Sequence, residues 1–142
     1  MKYLDTNVIG YAVEQHPKYG SACTQILRDV QNGTLKACAS RLVLVEFLGV
    51  LRKINGALSQ QKKKPLDISI NIDAILSLPI VWLDLDIAVI RRASTYQYTI
   101  PGADFVHLAT MDVIGITEII SADADFDKAH VKRQDPLRYD SA

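Results

Sequence analysis

Three acids stand where a core residue or a plain polar turn would cost less, and a fourth sits near the start of a helix. Asp5 directly follows the apolar opening of the chain. Asp123 comes three residues after Ile120, the end of another apolar run. Glu46 interrupts Leu42-Val43-Leu44-Val45-Glu46-Phe47-Leu48-Gly49-Val50-Leu51. A helix apolar on every side is expected to be buried. A carboxylate on it must then be paired, protonated or bound to a cation, because uncompensated burial costs several kcal/mol or more. Asp104 falls in the first turn of the segment after Pro101-Gly102.

Each acid has a simpler explanation when taken singly. Asp5 and Asp123 could bond the backbone of their own turns. Asp104 could stabilise a helix N-terminus, worth about 0.3–1 kcal/mol. Glu46 could pair with Arg41 or Arg52. Taken together they favour one site. Converging carboxylates repel one another and make sense around hard cations, and oxygen-only ligands select magnesium or manganese over zinc. Such ions position water and stabilise charge on phosphate, so phosphodiester cleavage is the natural chemistry.

The surrounding elements must deliver these side chains to one place. Met1 to Leu4 reads as a strand, followed by a short helix over Val8 to Val13. Apolar residues at Ala22, Ile26, Leu27 and Val30 give helical spacing to Lys18 to Gln31, which Asn32-Gly33 ends. Leu35 to Ala39 is the second strand. Ser40 is the expected N-cap of a helix from Arg41 to about Ile54, ended by Asn55-Gly56. Ala57 to Pro65 reads as a linker carrying Lys62-Lys63-Lys64, a run expected to be a solvated face. Leu66 to Leu78 reads as helix, Ile80 to Leu83 as strand, and Ile87 to Tyr98 as helix. Ala103 to Val113 is helical and Thr117 to Ile120 is a strand. Ser121 to Asp127 is an acidic turn before a polar tail running to Ala142. Strands alternating with helices, and built of continuous apolar runs, predict a parallel sheet covered on both faces. Ligands bind such sheets at the carboxyl ends of the strands, where Asp5 and Asp123 lie.

Composition bounds the rest. The chain has 142 residues, enough for one domain over 1–142. It lacks a run of 18 apolar residues, so no membrane span is expected, and Asp5 interrupts any signal-peptide core. Cys23 and Cys38 are expected to be reduced core residues of a cytoplasmic protein. Sixteen basic residues balance sixteen acidic ones, and setting the four candidate acids aside leaves 16 against 12. Neutral net charge therefore does not exclude a polyanionic substrate.

Two other motifs fail on their own requirements. Asp123-Ala124-Asp125-Phe126-Asp127 has the alternating acids of a calcium loop. However, the sixth position would be Lys128 and the twelfth Gln134. Asp84-Leu85-Asp86 resembles a phosphatase D-x-D at two residues only, and Asp86 is better read as a helix N-cap. His107, three residues after Asp104, could share its face, but a lone helical histidine is usually structural. His16 and His130 read as loop or surface residues.

In order, the acid-bearing segments resemble the PIN-domain family, and within it the VapC-type toxin ribonucleases. Tyr3-Leu4-Asp5-Thr6-Asn7-Val8 is similar to the first motif, and Ser40-Arg41-Leu42-Val43-Leu44-Val45-Glu46-Phe47 to the second. Asp104-Phe105-Val106-His107-Leu108-Ala109-Thr110 is similar to the third. Ile120-Ser121-Ala122-Asp123-Ala124-Asp125-Phe126 is similar to the fourth, with Ser121 in place of the commoner Thr. The resemblance spans nearly the whole chain and departs at 57–65, which looks like a longer, more basic insertion than usual. It implies a three-layer α/β/α sandwich around a mainly parallel sheet. The implied activity is divalent-metal endoribonuclease, with metal-activated water attacking the phosphodiester.

Asp5, Asp104 and Asp123 would ligate one or two Mg2+ or Mn2+ ions, and Glu46 would bind metal or its water. Thr6 and Ser121 would orient the acids, Asp125 is a candidate fifth acid, and Arg41 and Arg52 are candidate RNA contacts. A homodimer and a VapB-like antitoxin inserting near the acids are also implied. The contrasting reading is a catalytically silent PIN-like module that binds RNA or a protein partner.

Overall fold

The computed structural model describes residues 1–140. Positions 141 and 142, which the sequence reading places in the polar tail, lie outside the described residues. Five parallel strands form one sheet in the order β3-β2-β1-β4-β5. They are β1 Lys2–Leu4, β2 Ala37–Ser40, β3 Ile80–Leu83, β4 Glu118–Ile120 and β5 Lys132–Gln134. Consecutive residues of a strand point to opposite faces, and both faces are packed. Leu4, Ala37, Ala39 and Ile120 pack with α1 Thr6–Glu14, α2 Gly20–Asn32, α3 Arg41–Gln60 and α4 Ile68–Leu76. Tyr3, Cys38 and Ile119 face the other way, onto Leu108 and Met111 of α6 Gly102–Ile114. Helix α5 Ile87–Ala93 joins that layer through Val89 and Ala93, packed on Ala109. The result is the expected α/β/α sandwich.

The chain builds one side of the sheet from β1 outward to β3 and then crosses to β4 on the other side. The order of strands therefore reverses between β1 and β4. That crevice is where ligands enter open α/β sheets.

Several boundaries differ from the sequence reading, each for a tertiary reason. Helix α3 runs through Asn55-Gly56 to Gln60. Asn55 is tied to Leu66, its amide donating to the Leu66 carbonyl at 3.0 Å and its carbonyl accepting the Leu66 N–H at 2.7 Å. That pair holds the helix past the expected stop, so the first four residues of the expected linker are helical.

Nor is α3 buried all round. Val43, Phe47 and Leu51 form one buried stripe while Val45 is 61% exposed, so Glu46 lies at the stripe's edge. Helix α5 ends at Ala93, not Tyr98. Ser94 and Thr95 hydroxyls donate back to the carbonyls of Arg91 and Arg92, closing the helix.

The expected polar tail contains β5, a strand of Lys132, Arg133 and Gln134 with no apolar pattern. Backbone pairing to β4 and the bonds of Arg133 to Asp127 and the Ser121 carbonyl hold it. The acidic turn is a 3-10 helix, Ala124–Lys128. Ser40 and Asp86 cap their helices as expected, accepting from Leu42 and Val89 N–H. Cys23 and Cys38 are both buried and unbridged.

Candidate metal centre

Each acid reaches the crevice by a local device. Asp5 is the N-cap of α1, and its own N–H donates to the Ile120 carbonyl at 3.1 Å, which fastens it to the end of β4. Asp123 caps the following 3-10 helix by accepting Asp125 N–H at 2.9 Å. Asp104 occupies the first turn of α6, and Glu46 the second turn of α3. For Asp5 and Asp123 capping and convergence coexist: the turn bonds anticipated for them, from Thr6 and Asp125 N–H, help aim the two carboxylates.

Asp5, Glu46, Asp104 and Asp123 all line one cleft of about 960 Å³. Carboxylate oxygens of Asp104, Asp123 and Asp125 lie within 4.8 Å of one another. Asp125 also receives Lys128 Nζ at 2.9 Å, which offsets its charge.

Ser121 and Thr6 support the acids. Ser121 Oγ donates to Asp5 Oδ2 at 2.6 Å and accepts Asp123 N–H at 3.0 Å, so one hydroxyl ties two acids together. Thr6 Oγ1 donates to Glu46 Oε1 at 2.9 Å. Asn7 and His107 complete the set: sequence reasoning gave Asn7 no role of its own and read His107 as a structural histidine able to share Asp104's face. Asn7 Nδ2 donates to Asp5 Oδ2 at 3.0 Å, and its carbonyl accepts Ala122 N–H at 3.1 Å. His107 is fully buried, with Nε2 2.7 Å from Glu46 Oε1 and 3.9 Å from Asp5 Oδ1. The available signal for Asn7 was its place two residues after Asp5. For His107 it was the i,i+3 spacing from Asp104.

Neither arginine enters this geometry. Arg41 pairs with Asp84 at 3.2 Å on the exposed surface, and Arg52 is exposed. Glu46 pairs with His107 instead of either arginine.

The electrostatics single out Asp104. Burial first, then the charges of Asp5 and Asp123, push its carboxyl up to about 7. Its Oδ2 is buried and has no hydrogen-bond partner among the described residues. Burial likewise raises Asp5, against the pull of His107, Ser121 and Thr6. Glu46 goes the other way. Burial works against its charge, but the bonds from His107 and Thr6 outweigh it and hold the carboxyl below its ordinary value. Burial also opposes charge on His107, and the bond to Glu46 with the charges of Asp5 and Asp104 overcomes it, raising the imidazole. A partnerless buried oxygen among like charges is costly. It is the donor set that a hard divalent cation fits.

A crevice at the strand-order reversal, walled by carboxylates from β1, α3, α6 and the β4 exit, defines an acid-lined α/β site. The chain belongs to the PIN domain family, whose model matches residues 2–132. Solved structures share the fold at low identity. VapC20 of Mycobacterium tuberculosis, described as a Sarcin-Ricin loop cleaving toxin, aligns with a TM-score of 0.69 at 15% identity, over 92% of this chain and 96% of that one. A chain of VapBC2 from Rickettsia felis, bound to a DNA fragment from its promoter, gives 0.67 at 16% over 94% and 98%. FitAcB from Neisseria gonorrhoeae gives 0.56 at 19% over 98% and 100%. Comparison with curated protein sequences gives no match.

Among the described residues no helix is long and apolar enough to cross a membrane. The cleft also continues beyond the acids as a mainly apolar channel between α1 and α3, past Tyr11, Val13, Val50, Ile54 and Leu58 to Leu66. Gly10 lets the two helices approach there: a Cβ would sit 3.2 Å from Val50 Cγ1.

Proposed function

We propose that this protein is a divalent-metal-dependent endoribonuclease, acting as one domain in the cytoplasm as the toxin of a VapBC-type toxin–antitoxin pair. The observation that carries the reading is the buried, partnerless Oδ2 of Asp104 on a carboxylate that clusters with those of Asp123 and Asp125. Asp5, Asp104 and Asp123, with Glu46, would hold one or two Mg2+ or Mn2+ ions. Asp125 is a further ligand candidate within the same cluster. A cation held there supplies a Lewis acid for the phosphate and lowers the pKa of water.

The protein's own groups divide the remaining work. Ser121 and Asn7 fix the rotamer of Asp5, and Thr6 fixes that of Glu46. The apolar channel beside the acids suits an inserted antitoxin segment, and the presence of VapBC2 among the structural neighbours favours such a partner. The family resemblance also favours a homodimer.

Incubation of purified protein with a mixed RNA pool in magnesium, manganese or EDTA tests the activity. Cleavage is expected in either metal and is expected to stop in EDTA. Cleavage persisting in EDTA would contradict the metal mechanism. Cleavage in no metal would point to a binding module.

A further inference from the structure

His107 is fully buried with its ring edge-on to Tyr3, where an apolar side chain would cost less to bury. Its two nitrogens have distinct partners. Tyr3 Oη lies 2.5 Å from Nδ1, and Tyr3 Oη also accepts the Ser40 N–H at 3.1 Å. Nε2 faces a carboxylate oxygen, which can only accept, so in the neutral ring Nε2 is the protonated nitrogen and Nδ1 is left to accept the Tyr3 O–H. The ring proton then resides on Nε2, 2.7 Å from Glu46 Oε1. In the charged ring Nε2 carries a proton as well, so Glu46 meets a donor in either state.

Thr6 Oγ1 donates to the same Oε1 at 2.9 Å. Two donors on Oε1 hold the carboxylate and leave Oε2 for other partners. The relay starts at Ser40, the residue that ends β2 and caps α3. The strand end that launches the Glu46 helix is thus linked through Tyr3 to the histidine that meets Glu46.

Resting on the metal-site reading above, we propose that His107 is a positioning residue. The Ser40–Tyr3 relay would fix its Nε2–H toward Glu46 and pre-orient that carboxylate for a divalent cation. Removing a group of this kind weakens metal affinity by about 10–100-fold.

The test is Mn2+ binding by titration calorimetry on folded proteins, independent of RNA cleavage. His107→Asn keeps an acceptor near the Nδ1 position but loses the donor to Glu46, and about a 10–100-fold weaker affinity is expected. His107→Gln places an amide N–H near Nε2 and is expected to restore binding toward the parent. In a Glu46→Gln background, His107→Asn should add no further loss, because the two act through one contact. If His107→Asn does not fold, His107→Leu decides: it suits a fully buried position, loses the donor to Glu46 and should weaken Mn2+ binding likewise. Parent-like affinity in His107→Asn, or in His107→Leu where that variant decides, would overturn the positioning role while leaving the metal site intact. A parent protein that binds no Mn2+ would instead overturn the metal-site reading itself.

Discussion

Two carboxylates on α6, Asp104 and Asp112, are two turns apart and have opposite surroundings. Asp112 is satisfied. It accepts from Tyr96 Oη and His130 Nε2, the latter at 2.7 Å, and pairs with Arg92 at 3.5 Å. Burial works against its charge, but the Tyr96 and His130 bonds hold its carboxyl below the ordinary value. Asp104, with a partnerless oxygen and acids for neighbours, is pushed up to about 7. The helix thus carries one acid that stabilises the fold and one that burdens it. A carboxylate kept in so unfavourable a place is explained by something outside the chain that compensates it.

That contrast is broken most sharply by Asp104→Asn. It is expected to slow metal-dependent RNA cleavage by at least about 100-fold, since the cation's charge stabilisation is worth several kcal/mol. Its thermal midpoint without metal should equal or exceed the parent's. Asp112→Ala should do the reverse, costing about 1–2 kcal/mol in denaturant unfolding by removing hydrogen bonds from a partly exposed group. Its cleavage rate should match the parent's.

The pH dependence separates the two acids again. Asp104's folded-state value lies above its ordinary 3.8, so the native state binds the proton more tightly. Its contribution to stability is full below about 4 and is lost as pH rises towards about 7. Asp112, held low, contributes stability above its ordinary value of 3.8 that is lost as pH falls further. Metal-free denaturant melts across this range should show the alkaline-side loss in the parent and a smaller one in Asp104→Asn, where Asp5 and His107, also raised, remain. Added Mn2+ should flatten the loss, since it binds the deprotonated form. The smallest effect is expected from Asp125→Asn. Lys128 already offsets that acid, so a cleavage loss under about tenfold is expected in the same assay.

The sheet and the four acids were legible because their signals are local. Apolar runs mark β1 to β4, Asp5 and Asp123 stand at or just past the ends of two of them, Glu46 breaks an apolar run, and Asp104 follows the Pro101-Gly102 break. What escaped depends on distant contacts. Nothing near Asn55 announces that Leu66 will hold α3 past Gly56. Strand β5 has only polar residues, and pairing with β4 creates it. The apolar run around Glu46 suggested a buried helix. Only a stripe of it is buried, because one face packs on the sheet while Val45 lies in the open. His107 looked structural in isolation, since its partners Tyr3 and Glu46 are 104 and 61 positions away.

Mn2+ binding followed by electron paramagnetic resonance in the parent, Asp104→Asn and Asp112→Asn reaches the central claim most directly. The parent and Asp112→Asn should take up the ion, and Asp104→Asn should lose most of that uptake. Equal uptake by Asp104→Asn and the parent would contradict the account.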